Sequence, residues 1–420
     1  MLDPGIVEER LDERDEDHVV GPDEFLQACS SRGSSACRGA CPPLGACPPL
    51  RPAAPGAASL AAAALADGAT EAYGSHDAIA CEQAPVTAQL SPARPPAADI
   101  DRLARSVADR MAEVNALILT HAGSDVSMIP EVADHLISSG GKRIRPMLTL
   151  ATASLFGYRG DGDVKLATAV EYMHTATLLH DDVVDESAMR RGKPAARMIW
   201  GNQASVLVGD FLLGQAFKLM VDVGSLEALD VFSRAAATIS EGEVRQLAGS
   251  RDLKVGEGHY MAVIEAKTAA LFAAATAAGP IIAGARAHRP ALESFGRHLG
   301  LAFQLIDDVL DFSGDAEAIG KNVGDDLREG KATLPVLIAY ERGDESDRTF
   351  WERCIERSEV TDADVSAAAE KVRVTGALAD VRERARRFGN AALEDLRSVP
   401  GCEMRDILEE VVAFTVARLH

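Results

Sequence analysis

Aromatic residues make up only 5% of the 420-residue chain, and 43 Lys and Arg face 64 Asp and Glu. The shortage of aromatics disfavours sheet, and abundant alanine favours helix. The formal net charge of −21 denies the chain the cationic surface that non-specific nucleic-acid or anionic-membrane binding requires. An anionic substrate remains open to it, provided that local cations or bound metal overcome the global field. Seven cysteines are present, but they form no framework. Cys29, Cys37, Cys41, Cys47 and Cys81 precede residue 82, and Cys354 and Cys402 stand alone. Their spacing lacks the paired CxxC of a zinc site and reads as incidental thiols in a reducing compartment. The opening MLDPGIVEERLDERDEDH has no apolar signal-peptide core. GxGxxG, Walker A and HExxH are all missing. One uncharged run, Thr268 to Ala285, has about the length of a membrane span. Gly279-Pro280 breaks it, so the expectation is a buried helix ending at Gly279 in a soluble, cytoplasmic protein.

Two segments differ in composition. Residues 1–98 hold SSACRGACPPLGACPPLRPAAPGAASLAAAALADGA, rich in Ala, Pro, Gly and Cys and without apolar period. Such a segment cannot bury enough surface to offset its ordering entropy, and it is expected to be disordered. From Ile100 the pattern changes. Leu103, Val107, Met111, Val114, Leu117 and Ile118 recur at helical spacing. Similar stretches are expected at 146–156, 163–186, 202–223, 226–248, 259–278, 291–312, 332–342 and 364–395. Turn signals separate them, among them Arg191-Gly192-Lys193-Pro194 and Gly320 to Gly330. Residues 99–420 therefore read as one all-α domain of roughly 320 residues.

Chemistry concentrates in two aspartate clusters, Asp181-Asp182-Val-Val-Asp185 and Asp307-Asp308-Val-Leu-Asp311. On a helix, residues i and i+4 share a face about 5–6 Å apart, and like charges there are destabilising. Asp181 and Asp185, and likewise Asp307 and Asp311, call for a cation. A single DDxxD in so acidic a chain is ordinarily a solvated face. Here each copy follows apolar residues (Leu178 and Leu179; Leu305 and Ile306), so neither lies in an acidic surface run. His174 projects to the side of Asp181 and Asp185, and Gln304 to that of Asp307, Asp308 and Asp311. In isolation His174 would be a core histidine. Mg²⁺ fits such a set, because it takes one or two carboxylates plus waters and phosphate oxygens. Zinc does not, for want of Cys or a second His at ligand spacing.

Cations mark a second region. Gly140-Gly141-Lys142-Arg143-Ile144-Arg145-Pro146 offers glycines for a turn and a proline at an expected first helical position. Free N–H groups there, with Lys142 and Arg145, suit a phosphate. Arg190-Arg191-Gly192-Lys193-Pro194 follows the first aspartate helix. Lys267-Thr268, Lys321 and Lys331 are further candidates. A lone Lys or Arg is by default a solvated surface charge; the glycine flanks set the two clusters apart.

These stretches resemble trans-polyprenyl diphosphate synthases of the long-chain, octaprenyl or decaprenyl type. The resemblance runs in order through GGKRIRP, EYMHTATLLHDDVVDESAMRRGKP, GDFLLGQAF, EGEVRQL, EAKTAALF, FQLIDDVLDF and GKNVGDDLREGKATLP, and covers about residues 100–420. It implies an all-α helical bundle around a deep central cavity, the isoprenoid synthase fold, usually as a homodimer. It implies head-to-tail addition of isopentenyl diphosphate to an allylic diphosphate. Asp181 and Asp185, with Asp182 beside them, would bind Mg²⁺ that grips the allylic diphosphate. Asp307, Asp308 and Asp311 would complete the metal set. Lys142, Arg145, His174 and Arg191 would hold isopentenyl diphosphate. Arg190, Lys267, Thr268, Gln304 and Lys321 would contact the allylic substrate.

Product length follows from what lies behind Asp181. Thr177 and Ala176 stand four and five residues before it, about 6–7.5 Å down the helix. Both are small, where Phe or Tyr would block a growing chain. A long product is therefore expected, with Met220 and Phe232 as a deeper floor or as ordinary core. A geranylgeranyl-type synthase and a non-catalytic subunit of a heteromeric synthase are the alternatives. Intact aspartate motifs disfavour the latter. A quinone side chain is the expected use of a long product.

Overall fold

The computed structural model describes residues 97–137, 140–313 and 324–417. The extension expected to be disordered thus lies outside the described residues, except that helix α1 (Ala97–Ser106) already begins at its end. The described residues are helical almost throughout. α2 (Ala108–His121), α3 (Met128–Ile137), α4 (Ile144–Ser154) and α5 (Gly162–Val184) lead into a hairpin of two-residue strands, β1 (Met189–Arg190) and β2 (Lys193–Pro194). α6 (Ala196–Asp222), interrupted at Gly201, and α7 (Leu226–Ala248) follow. α8 (Gly256–Ile264) runs through a π-helical turn at Glu265–Ala269 into α9 (Ala270–Ile282). α10 (Arg289–Asp311), α11 (Asp325–Arg328), α12 (Leu334–Arg342), α13 (Glu345–Trp351), α14 (Asp362–Val374), α15 (Ala377–Arg397) and α16 (Glu403–Ala417) complete the described chain.

Two apolar clusters hold these helices. The larger packs α1 to α7, α9 and α16 through residues such as Leu103, Leu148, Tyr172, Phe232 and Phe272. The smaller gathers α12 to α15 around Trp351, Leu334 and Val381. α10 belongs to both. Its Leu292, Phe295 and Leu299 enter the first cluster, and its Leu305, Ile306 and Val309 the second. The aspartates at the end of α10 therefore sit on a helix gripped along its length. The π-helical turn and α10 pass closely where Gly300 meets Ala269: a Cβ on Gly300 would lie 2.7 Å from the Ala269 Cα. That approach sets Thr268 beside Gln304.

Three expectations need correction. The helix with the Gly279-Pro280 pair does not end at Gly279; it continues to Ile282 with Pro280 inside it. Proline removes one ladder hydrogen bond, but this helix is buried almost all round, so packing holds it. α4 starts at Ile144, two residues before Pro146, because Arg143 takes a left-handed conformation (φ 46°) that ends the loop. The stretch read as one helix over 364–395 is two, parted at Gly376 with φ 72°. Ala196–Asp222 and Gly256–Ile282 are long and apolar enough to cross a membrane by length and composition. The second buries 61% of its most apolar window inside the protein.

Candidate functional site

The C-terminal turns of α5 carry the first aspartate cluster, and its members diverge. Asp181 and Asp185 are half-buried and share one face, each side chain 15% exposed. Asp182 is fully buried and turns the other way. It accepts a 2.9 Å hydrogen bond from Arg190 Nε, while its Oδ2 has no partner among the described residues. Burial pushes the Asp182 carboxyl up and the Arg190 guanidinium opposes this. Asp182 thus braces the hairpin, whose turn residues Arg191 and Gly192 both have positive φ (52° and 75°). Two positive φ values in a two-residue turn are the hairpin-compatible geometry. The turn brings the Arg191 guanidinium to the Gly140 carbonyl.

Two ammonium groups stand at the other two aspartates. Lys267 Nζ lies 3.4 Å from Asp181 Oδ2, and Lys331 Nζ donates a 2.8 Å hydrogen bond to Asp185 Oδ2. Burial opposes the Lys331 charge, but Asp185, Glu329 and Asp326 outweigh it and raise its affinity for the proton. The like-charge repulsion expected at i,i+4 is thereby answered by cations. Among the described residues no three His, Cys, Asp or Glu side chains converge on one point. Mg²⁺ tolerates such a set, since it keeps waters and fills its shell with substrate phosphate oxygens.

On α10, Asp307 is half-buried, whereas Asp308 and Asp311 are buried. Asp308 accepts hydrogen bonds from the Tyr260 hydroxyl and from Gln304 Nε2 (2.8 Å). Gln304 Oε1 in turn accepts from the Thr268 hydroxyl at 2.8 Å. A continuous polar relay therefore joins Thr268, Gln304, Asp308 and Tyr260. Burial and the nearby Asp326 push the Asp308 carboxyl up; Tyr260 and Gln304 oppose the shift.

The second cationic region lies farther back along α5. His174 faces Arg145, Arg191 and Arg190, and burial together with these charges holds its imidazole well below the ordinary value. His174 is therefore neutral and offers a hydrogen bond, not a charge. Arg145 lies over the Phe272 ring at 4.5 Å, and burial lowers it to about 10, still cationic at neutral pH. Lys142 stands 5.1 Å above the Phe414 ring of α16. Glu171, one turn before His174, sits among Arg143, Arg145 and Arg191, and burial pushes its carboxyl up against their pull.

The structure thus brings Asp181, Asp185 and Lys267 together, and links Thr268, Gln304 and Asp308. It turns Asp182 and Arg190 toward each other. Lys321 lies outside the described residues. Ala176 is buried, and Thr177 is half-buried with its hydroxyl donated to the His174 carbonyl. Met220 and Phe232 are fully buried in the larger apolar cluster. Sequence reading missed Glu171, Glu243, Tyr260 and Asp326. The stretches EGEVRQL and GDDLREGK contained two of them, but nothing in local spacing marked either as a partner of the aspartates.

Residues 126–372 match the family model described as Polyprenyl synthetase. The chain is 43% identical over 321 residues to the octaprenyl diphosphate synthase of Escherichia coli, covering 76% of this chain and 99% of that protein. It is similar to the solved polyprenyl synthase of Caulobacter crescentus complexed with calcium and isoprenyl diphosphate. That match has a TM-score of 0.74 and 50% identity, and covers 76% of this chain and 97% of the other. The decaprenyl diphosphate synthase of Rhodobacter capsulatus matches with a TM-score of 0.73 and 47% identity over 76% of this chain and 99% of that one.

Proposed function

Since the chain belongs to the polyprenyl synthetase family and is thus a prenyltransferase, we propose that it condenses isopentenyl diphosphate with farnesyl diphosphate into a long all-trans polyprenyl diphosphate. The observation that carries this reading is the placement of two sets of polar groups on one helix. Asp181 and Asp185 meet Lys267 and Lys331 at the end of α5, and His174 lies within the electrostatic reach of Arg145 and Arg191 farther back. One set suits an allylic diphosphate held through metal, the other a second diphosphate held by cations.

Asp181, Asp185 and Asp307, with Asp308 and Asp311 behind, are the residues that would hold Mg²⁺. When bound, Mg²⁺ neutralises charge developing on the diphosphate leaving group. Lys267, held at Asp181, faces the same group. Thr268 and Gln304 fix each other by a hydrogen bond, so their positions are preorganised. Lys142, Arg145 and Arg191 supply charge to the isopentenyl diphosphate, and neutral His174 supplies an oriented hydrogen bond. The allylic C–O bond ionises to a cation and diphosphate, the alkene attacks the cation, and the released diphosphate takes the proton whose loss gives the elongated product. The reaction requires water to be excluded, because it would otherwise quench the cation. Holding both substrates along α5 supplies the proximity that the bond-forming step needs.

Small Ala176 and Thr177 behind Asp181 support a long product, and the octaprenyl and decaprenyl synthases it resembles agree with that. We assign the activity to residues 99–420, in a reducing cytosol, with the product going to a quinone side chain. Exposed Met198, Ile199, Val206 and Leu207 on α6 support a homodimer.

The test is a product assay on the purified chain with isopentenyl diphosphate, farnesyl diphosphate and Mg²⁺, sizing the dephosphorylated alcohols by mass spectrometry. Products of about eight to ten isoprene units are expected, the range of its octaprenyl and decaprenyl relatives. A product of geranylgeranyl length would overturn the chain-length reading, and no product from any allylic primer would overturn the catalytic one.

A further inference from the structure

Among the described residues Lys267 has two carboxylate partners, Asp181 of the aspartate clusters and one outside them. The other is Glu243 on α7, whose Oε2 accepts a 2.7 Å hydrogen bond from Lys267 Nζ. The bond to Glu243 is shorter than the 3.4 Å separation from Asp181. Glu243 Oε1 is buried and has no hydrogen-bond partner among the described residues. The carboxylate is 27% exposed, so it is largely withdrawn from water.

The backbone is built to bring these groups together. Gly242 allows α7 to touch the π-helical turn: a Cβ there would lie 2.7 Å from the Ala266 Cβ and 3.2 Å from the Lys267 nitrogen. The π-helical turn at Glu265–Ala269 carries one residue more than an α-turn, which changes the side that Lys267 faces. Such turns concentrate at functional sites. A close approach and an unusual turn meet at one lysine, and their joint result is the Lys267–Glu243 bond.

A divalent cation at Asp181 and an ammonium ion on the same carboxylate repel each other. Lys267 must then leave Asp181 yet remain near the incoming diphosphate. We propose that Glu243 is the positioning residue that retains Lys267 when a divalent cation takes Asp181, so that the ammonium stays aimed at the allylic diphosphate. This rests on the reading of Asp181 and Lys267 given above. Without the Glu243 charge, Lys267 has Asp181 as its remaining anionic partner among the described residues and competes with the metal for it.

The test measures divalent-metal binding directly. Mn²⁺ is titrated into the full chain in the presence of an unreactive thio-analogue of farnesyl diphosphate, and free Mn²⁺ is read by electron paramagnetic resonance. Glu243→Gln, close in shape, is expected to weaken apparent Mn²⁺ affinity about tenfold, the effect of one strongly competing charge. It should also raise the KM for the allylic substrate while leaving the KM for isopentenyl diphosphate unchanged. Lys267→Met should remove the competition, so that adding Glu243→Gln to it changes Mn²⁺ affinity no further. Wild-type Mn²⁺ affinity in Glu243→Gln would overturn the inference. So would a further loss on adding Glu243→Gln to Lys267→Met, since Glu243 would then act without the lysine. If the unsubstituted chain makes product but these binding outcomes fail, the inference alone falls. If it neither binds Mn²⁺ nor makes product, the functional reading falls and takes the inference with it.

Discussion

Lys331 Nζ meets Asp185 Oδ2 at 2.8 Å across 146 residues of sequence, and the same ammonium lies 2.6 Å from Glu329. One lysine therefore ties the segment after α11 to the end of α5. Lys331→Ala leaves Asp185, Glu329 and Asp326 without their shared cation. The expected cost in the absence of divalent metal is about 1.5–3 kcal/mol, the range for hydrogen bonds to charged groups. Added Mg²⁺ should restore more stability to this variant than to the native chain. Thermal unfolding with and without Mg²⁺ checks this; equal Mg²⁺-induced shifts would count against it.

Tyr260→Phe removes the hydroxyl that donates to Asp308 and leaves that buried carboxylate with Gln304 as its remaining described donor. An unmet buried acceptor costs about 1–3 kcal/mol. Since Gln304 also bonds Thr268, the disturbance should reach the allylic side. The expected kinetic result is a higher KM for farnesyl diphosphate with a smaller change for isopentenyl diphosphate. Equal effects on both substrates would contradict the relay.

Ala176→Phe places a large ring where a buried methyl now lies. Extra bulk in a packed interior costs about 1–3 kcal/mol, which the larger apolar cluster should tolerate. The expected product is shorter than that of the native chain, read by mass spectrometry of the dephosphorylated alcohols. An unchanged product distribution would refute the role assigned to this position.

Asp364 answers to pH by a different route. Its carboxylate accepts from Arg353 at 2.6 Å and caps α14 through Thr361, whose backbone N–H donates at 2.8 Å. Arg353 first, then Thr361, hold this carboxyl well below the usual range. A carboxyl depressed by folding stabilises the native state above its unfolded value of about 3.9, and that contribution fades as pH falls toward the native value. Asp364→Asn should therefore be less stable than the native chain at neutral pH, by about 1–2 kcal/mol for a lost cap. The gap should narrow below about pH 4. Urea unfolding of both chains across that range decides it.

The aspartate helices were legible because carboxylates at i and i+4 beside apolar neighbours leave a mark in local spacing. Their partners left none. Tyr260 reaches Asp308 from 48 residues away, and Lys331 reaches Asp185 from 146. Nothing in DDVVD distinguishes Asp182, which turns inward to Arg190, from Asp181, which meets Lys267. The helix breaks were misread for a related reason. Pro280 lies within a helix because tertiary packing outweighs its local cost, whereas Gly376 parts two helices that a continuous apolar period joins. Local pattern gave the elements; long-range contacts decided their ends and which side chains meet.

Gly279 has a consequence beyond its own neighbourhood. A Cβ there would collide with the backbone at Thr152 and Ala153, so α9 and α4 touch main chain to main chain. One end farther on, Arg145 of α4 lies over Phe272 of α9. The residue offset between partners is the same at both contacts, so the two helices run side by side in the same direction. One begins at the GGKR loop and the other at the turn that bears Lys267. On the function proposed above they act as a gauge block, fixing the spacing between the loop and the turn that would seat the two diphosphates. Each round of synthesis can then repeat the same bond-forming geometry while only the length of the hydrocarbon behind it changes.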